Sequence, residues 1–306
     1  MALVFFATNW WQCGLAATSL ALSIAGVGFN IQHDGSHGGY SSSKVVNRMM
    51  ASALDLVGGS SYFWHWKHNV LHHSFPNIAG ADDDINVGPL ARLAPSQKRY
   101  GFHRFQQFYM WALYGVVTLK WQMVDDFVEF AKGKVGEKHV PRPEGVELAI
   151  FWLGKLWFFL IALVIPAMFH PLWVVVLFYV ATSVGLGIVL GTTFQLAHCV
   201  EEADFPVPEG TPPHIDAEWA IHQIQTTMDF APRNRFLTWY LGGLNYQVEH
   251  HLFPRVSHAH YPALAPIVKA MCAQYGIAYN ACESVAAAAR SHYRWLKQMG
   301  AEAQAA

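Results

Sequence analysis

The residues of this 306-residue chain best suited to chemistry are its histidines, 17 in all, and their grouping is more telling than their number. His33 and His37 bracket the segment HDGSH. His68, His72 and His73 stand in HNVLHH, and Gln247, His250 and His251 stand in QVEHH. Helical residues four apart share a face, with Cβ atoms about 5–6 Å apart, so His33/His37 and His68/His72 can each grip one metal ion. Gln247 lies three residues before His250 and four before His251, within reach of the same ion. In His72-His73 and His250-His251, adjacent rings point in different directions, which suits two neighbouring metals better than one.

Neutral imidazole is a ligand for Zn, Cu, Fe and Ni. Cysteine is absent from the three groups, which argues against a Cys/His structural zinc. A lone His198 stands in FQLAHCVEE; with it, eight histidines and one amide far exceed the four ligands of such a site. A pair of irons activating O₂ uses them all. Unactivated C–H bonds resist acid–base chemistry, so the oxidising power must come from a cofactor. An isolated histidine is by contrast usually a core or surface residue, and His103, His139, His170, His214, His258, His260 and His292 are assigned nothing. His222 is intermediate. His65, on the same helical face as His68 and His72, is expected just outside the ligand shell. The four cysteines form no CxxC pair, and free thiols in a reducing compartment are expected.

The elements that position these groups follow from hydropathy. Hydrophobic residues make up 53% of the chain and charged residues 13%, about half the charged share of a soluble protein. Three apolar stretches reach the roughly 20 residues a bilayer requires: residues 10–32, 148–169 and 172–197. Residues 2–9 are apolar but too short to span, and read as the tail of a further helix. Lys155 interrupts the second span and is expected to snorkel; His170-Pro171 makes a tight hairpin with the third. Two spans separate residues 33–147 from residues 198–306, so both regions emerge on one side. Nineteen of the 20 Lys and Arg fall there, which makes that face cytoplasmic. Residues 100–131 are expected to form an amphipathic helix lying on the membrane. Residues 132–146 and 203–214 read as Gly/Pro-rich and Pro-rich connections, and the C-terminus as an Ala-rich helix. The net charge of -1 gives no support for nucleic-acid binding. The expectation is a single domain over residues 1–306: an all-α, integral-membrane, multi-pass bundle under a cytosolic, histidine-rich helical cap that holds a di-iron site.

At this point the sequence resembles the membrane fatty acid desaturases, in the subgroup whose third histidine box begins with Gln. That subgroup includes front-end and bacterial linoleoyl-CoA-type acyl desaturases. The resemblance rests on QHDGSHGGYS, HNVLHHSFPNIAGADDDI, FQLAHCVEE, QTTMDFA, GGLNYQVEHHLFP and FPRVSHAHYPALAPIV, within residues 20–280. It implies two non-haem irons held by His33, His37, His68, His72, His73, His198, His250 and His251, with Gln247 in the place of a ninth histidine. It promotes His198, which spacing alone left unsupported, and suggests Asp34 and Glu249 as carboxylates that orient ligand rings. It implies a fatty acyl substrate in a narrow apolar tunnel and O₂ as co-substrate. An external electron donor (ferredoxin, cytochrome b₅ or a flavin reductase) is implied because no HPGG haem motif is present. The family pattern places two spans before the first box, where this chain has one and a fragment. The alternative within the same metal chemistry is a membrane di-iron hydroxylase acting on a lipid. A bis-histidine haem carrier would need its histidines inside the bilayer, not beyond the span ends, and a non-catalytic metal sensor differs only in lacking activity.

Overall fold

The computed structural model describes residue 7 and residues 9–301; most of the apolar fragment at 2–9 and the last five residues of the Ala/Gln/Glu tail lie outside the described residues. The chain is mostly helical. Helix α1 runs without a break over Trp10–His37, so His33 and His37 occupy its last turns instead of following it. It stops there because Gly38 takes the left-handed conformation (φ 78°), in which a glycine ends a helix without a Cβ penalty. Short helices α2 (Lys44–Ala51) and α3 (Ala53–Leu56) fold back against that end. A Cβ on Gly35 would meet the Ala51 backbone nitrogen at 2.7 Å, so only glycine allows α2 so close. Helix α4 (Ser61–Trp64) begins under a Ser60 cap and opens into a π-helix over His65–His72.

After an irregular stretch comes α5 (Gln106–Lys120), which runs on through a π turn and Asp126–Lys132. Helices α6 (Gly145–Ala167) and α7 (Leu172–His198) form the expected hairpin. Then follow α8 (Trp219–Gln225), α9 (Arg235–Tyr240), α10 (Gln247–Leu252), α11 (Tyr261–Tyr275) and α12 (Val285–Ala301). Among the described residues, strands occur only as two two-residue pairs: antiparallel Lys134–Val135 with Lys138–His139, and parallel Asp229–Phe230 with Ala281–Cys282.

Three helices are long and apolar enough to cross a membrane: α1, α6 and α7. Their outward faces are apolar, with Leu15, Leu153, Leu156, Leu172 and Leu177 each at least half exposed. Helix α5 departs from the expected surface-lying helix. Gln107, Tyr114, Thr118, Gln122 and Asp126 are buried, while Phe108, Val116, Val117, Val124 and Val128 face outward. Its polar stripe is therefore turned inward, and the helix is a packed member of the bundle. It runs antiparallel to α7: Tyr114 lies against Gly187 and Gly191, and Gln122 Oε1 accepts from Tyr179 (2.9 Å) and Ser183 (3.3 Å). Glycines along this seam let the two backbones approach closely, the packing device of helices that share an apolar solvent.

Lys155 does not snorkel. Its side chain is 3% exposed, and its Nζ donates to Asp126 Oδ2 and to the Gly58 carbonyl, both at 2.5 Å. Trp121 Nε1 donates to the other Asp126 oxygen (3.0 Å). Removing one member of a buried ion pair costs about 3–5 kcal/mol, whereas apolar replacement of both is often neutral. We expect Asp126→Ala to lower the melting temperature of the purified protein markedly, and Asp126→Leu with Lys155→Met to recover most of the loss.

Candidate metal centre

The three histidine groups converge. Donor atoms of His33, His37, His68 and His250 lie within 4.8 Å of one another, as do those of His72, His198 and His251. His73, His250 and His251 form a third set at the same spacing, joining the first two. All eight histidines are buried, none more than 9% exposed. Gln247 joins the second set, its Nε2 3.0 Å from His198 Nε2. The sequence-derived residues are thus all brought together, in an arrangement of two adjacent sets.

Local structure explains how one segment serves both sets. Over His65–His72 the backbone is π-helical, with i→i+5 hydrogen bonds, a distortion often found at functional sites. The wider turn lets His68 face the first set and His72 the second, while His73 stands between them. It also turns His65 out to solvent, so His65 is not beside the ligand rings as an α-helical period would have it. Trp64 takes the place under His68 instead, stacked at 4.5 Å. A second π turn, Gly28–Gln32, precedes His33.

Four of the eight rings are aimed from behind. His72 Nδ1 lies 3.0 Å from Asp82 Oδ2, which also accepts the Asn77 N–H at 2.9 Å. His251 Nδ1 meets Gln223 Oε1 (2.8 Å), His250 Nδ1 meets the Tyr261 hydroxyl (3.2 Å), and His198 Nδ1 meets the Thr226 carbonyl (3.2 Å). Asn77, in the left-handed conformation (φ 60°), donates to the carbonyls of His198, Asp204 and Thr226. These outer partners fix each ring's tautomer and leave Nε2 pointing inward, the common arrangement around metal-bound histidine.

The inward nitrogens lack partners. Nε2 of His37, His250 and His251, and both nitrogens of His73, are buried without a hydrogen bond. Such groups are costly in a folded interior, and a cation accepting their lone pairs removes that cost. Burial, and then the neighbouring imidazoles, hold His68, His73, His250 and His251 well below the ordinary histidine range, so they present free lone pairs at neutral pH. On His72 burial works in the same direction but is outweighed by Asp82 and Asp84 together, which hold its pKa above the ordinary value. The donor set is nitrogen-rich and free of thiolate, and it fits two borderline transition-metal ions.

Asp34 and Glu249 orient no ligand ring. Asp34 Oδ2 accepts from Ser257 and pairs with His258 Nδ1 at 2.8 Å. Glu249 receives the Tyr279 hydroxyl at 3.0 Å, a hydroxyl that also serves Asp229; burial and the Asp229 charge push Glu249 above the ordinary carboxyl range. The orienting groups that sequence reasoning missed are Asp82, Gln223, Tyr261 and Asn77. The acidic run ADDDI was the signal for the first. His292 also has a place: it is buried between the Tyr114 hydroxyl (2.6 Å) and the carbonyl of Cys199 (2.6 Å), next to His198.

The sequence matches the fatty acid desaturase family over residues 8–282, and the chain belongs to that family. It is 40% identical over 294 residues to the sn-1 linoleoyl-lipid 6-desaturase of Synechocystis sp., covering 94% of this chain and 80% of that protein. The sn-1 linoleoyl-lipid 6-desaturase of Arthrospira platensis is 38% identical over 291 residues, covering 94% and 78%. An acyl-lipid (8-3)-desaturase of Physcomitrium patens is 40% identical over 280 residues, covering 90% of this chain and 58% of its own length. The chain is accordingly a desaturase, an oxidoreductase of lipid metabolism.

Two outcomes are expected here. Asp82→Ala should reduce metal affinity roughly 10–100-fold, as removal of such outer partners does elsewhere, measured as metal retained per protein through a chelator titration. For the metal-free protein, the depressed pKa values of His68, His73, His250 and His251 set the sign of a pH effect. Above about pH 6.5 both folded and unfolded forms are neutral; below it the unfolded chain takes up protons that the folded one refuses. The melting temperature should therefore fall between pH 7.5 and pH 5.

Proposed function

We propose that the chain introduces a double bond into a fatty acyl group carried on a membrane lipid, at a centre of two non-haem irons. The irons would be held by His33, His37, His68, His72, His73, His198, His250 and His251, with Gln247 as the ninth position. The observation that carries this reading is the convergence of buried, inward-facing and partnerless imidazole nitrogens into two adjoining sets. The acyl-lipid substrate is supported by the relatives, which are named as acting on acyl lipids.

When bound, the irons supply the oxidising power, drawn from O₂, that an unactivated methylene pair requires. Over the reaction, two C–H hydrogens, two further protons, two electrons and one O₂ become an alkene and two waters. The electrons come from an external donor of the ferredoxin, cytochrome b₅ or flavin-reductase kind. The chain itself supplies place and alignment. A largely apolar cavity reaches His33, and its walls include Ile24, Phe29, Leu186, Leu190 and Phe194. An acyl chain lying there excludes water and presents its methylenes beside the first histidine set; a fixed geometry of this kind is worth several kcal/mol of the barrier. Gly28 also lines the cavity, and a Cβ added to it meets no atom within 4 Å. A larger side chain would therefore enter empty space and shorten the room for the acyl chain.

The bundle reading is supported by the three apolar helices and their outward apolar faces. Both histidine-bearing regions must lie on one side for their rings to meet, and by the positive-inside rule that side is cytoplasmic.

The test is gas-chromatographic analysis of fatty acids from a host expressing the chain with candidate acyl substrates and an electron donor. A new unsaturated species, absent with His72→Ala, is expected. Gly28→Leu should cut product from long chains at least tenfold while sparing shorter ones. A hydroxylated product in place of an alkene would overturn desaturation in favour of the hydroxylase alternative.

A further inference from the structure

Helix α9 is six residues long and carries two large aromatic side chains to which the fold gives no cover. Phe236 is 71% exposed and Trp239 69% exposed, and their rings lie 5.8 Å apart, forming one patch. Its other face is anchored: Leu237 and Tyr240 pack against the core, and Asn234 caps its start through Leu237 N (3.0 Å). What it is anchored to sets its depth. The Tyr240 hydroxyl donates to the Leu22 carbonyl (2.8 Å), and Asn30 Nδ2 donates to the Tyr240 carbonyl (2.9 Å). Gly26 lies beneath the Tyr240 ring. All three contacts fall on α1, a helix of spanning length and hydropathy. From Leu22 to Asn30 is about 12 Å along its axis at 1.5 Å per residue, ending about one turn below His33 and about two below His37.

The cationic residues complete the pattern. Arg233 and Arg235, at the start of the same segment, are exposed, and among the described residues the one ion pair they make, Arg233 with Glu283, is long at 3.8 Å and water-exposed on both sides. Exposed Phe and Trp beside arginines, held along the histidine-bearing half of an apolar span, are the composition of a segment that lies in the membrane interface. There the aromatic rings replace water with acyl chains, and the guanidinium groups meet lipid phosphates.

We propose that α9 is inserted into the leaflet facing the metal centre, with Phe236 and Trp239 among its acyl chains and Arg233 and Arg235 at its phosphates. The occupant of the exposed face is membrane lipid. After α9 the chain turns through Gly242, whose positive φ (56°) lays it against the Phe29 and Asn30 backbone, and enters α10 with Gln247, His250 and His251. The third histidine group is thereby tied to the bilayer surface as well as to α1. This inference rests on α1 being a span.

The test uses the full chain in phospholipid nanodiscs containing anionic lipid, with Cys13→Ser to remove the one cysteine that is not buried. An environment-sensitive fluorophore is placed at Trp239→Cys, at Leu177→Cys on the outward face of α7, and at Asp216→Cys in the Pro-rich region. The expected result is a blue-shifted emission at 239, quenched at least twofold by spin-labelled lipid and insensitive to iodide, as at 177. Emission and iodide quenching matching those at 216 would overturn the proposal. So would protection from both quenchers, which would mean cover by protein, a second copy included. Failure of lipid quenching at 177 would overturn the membrane reading itself and this inference with it, whereas quenching at 177 without quenching at 239 would overturn the α9 insertion alone.

Discussion

The structure depends on keeping eight imidazole rings buried side by side and aimed at common points. A buried imidazole has two polar nitrogens to satisfy, and stacking eight of them leaves one nitrogen of most rings facing only other rings. The fold meets this by giving His72, His198, His250 and His251 a partner behind Nδ1, from Asp82, the Thr226 carbonyl, Tyr261 and Gln223 respectively. That satisfies one nitrogen, fixes the tautomer, and leaves the other as a lone pair directed inward. A cation that accepts the inward lone pairs relieves the cost of leaving them unpaired. Stability of the cap and capacity for metal are therefore the same property seen from two sides.

This constraint also accounts for the irregularities of the backbone. Three donors come from one short segment, His68, His72 and His73, and the backbone that presents them is π-helical over His65–His72. Gly35 permits α2 to press against the helix end that carries His33 and His37. Asn77 holds together three carbonyls around His198 and Thr226 from a conformation few residues tolerate. Farther out, His292 on the C-terminal helix binds the Cys199 carbonyl and the Tyr114 hydroxyl, so α12, α7 and α5 meet beside His198.

Polarity below the cap is inverted relative to a protein in water. Lys155 and Asp126 form one inward-facing hydrogen-bonded pair, and Gln122, Tyr179 and Ser183 form a second inward-facing set, while leucines, valines and tryptophans face out. In an apolar solvent, a polar side chain is cheapest where it can find another. The cavity reaching His33 lies between these helices. One wall comes from α1 and another from α7, so the helices that carry His33 and His198 also border it.

The sequence alone determined which residues would gather. The histidine spacings, the three apolar stretches and the distribution of Lys and Arg are local or additive properties, and they are legible without coordinates. His198 was not, since a single histidine at a helix end has no spacing partner; only the resemblance raised it. The tertiary structure decided the rest. It set Asp82, Gln223 and Tyr261, rather than Asp34 and Glu249, behind the rings, because adjacency in sequence does not place a carboxylate behind its neighbour's ring. It turned His65 outward through a π turn that no α-helical period anticipates. It buried Lys155 against Asp126 from another helix, where chain position alone suggested a side chain reaching for the interface. Each of these depends on which segment arrives from elsewhere in the chain to fill the space behind a side chain, and that is settled only when the helices pack.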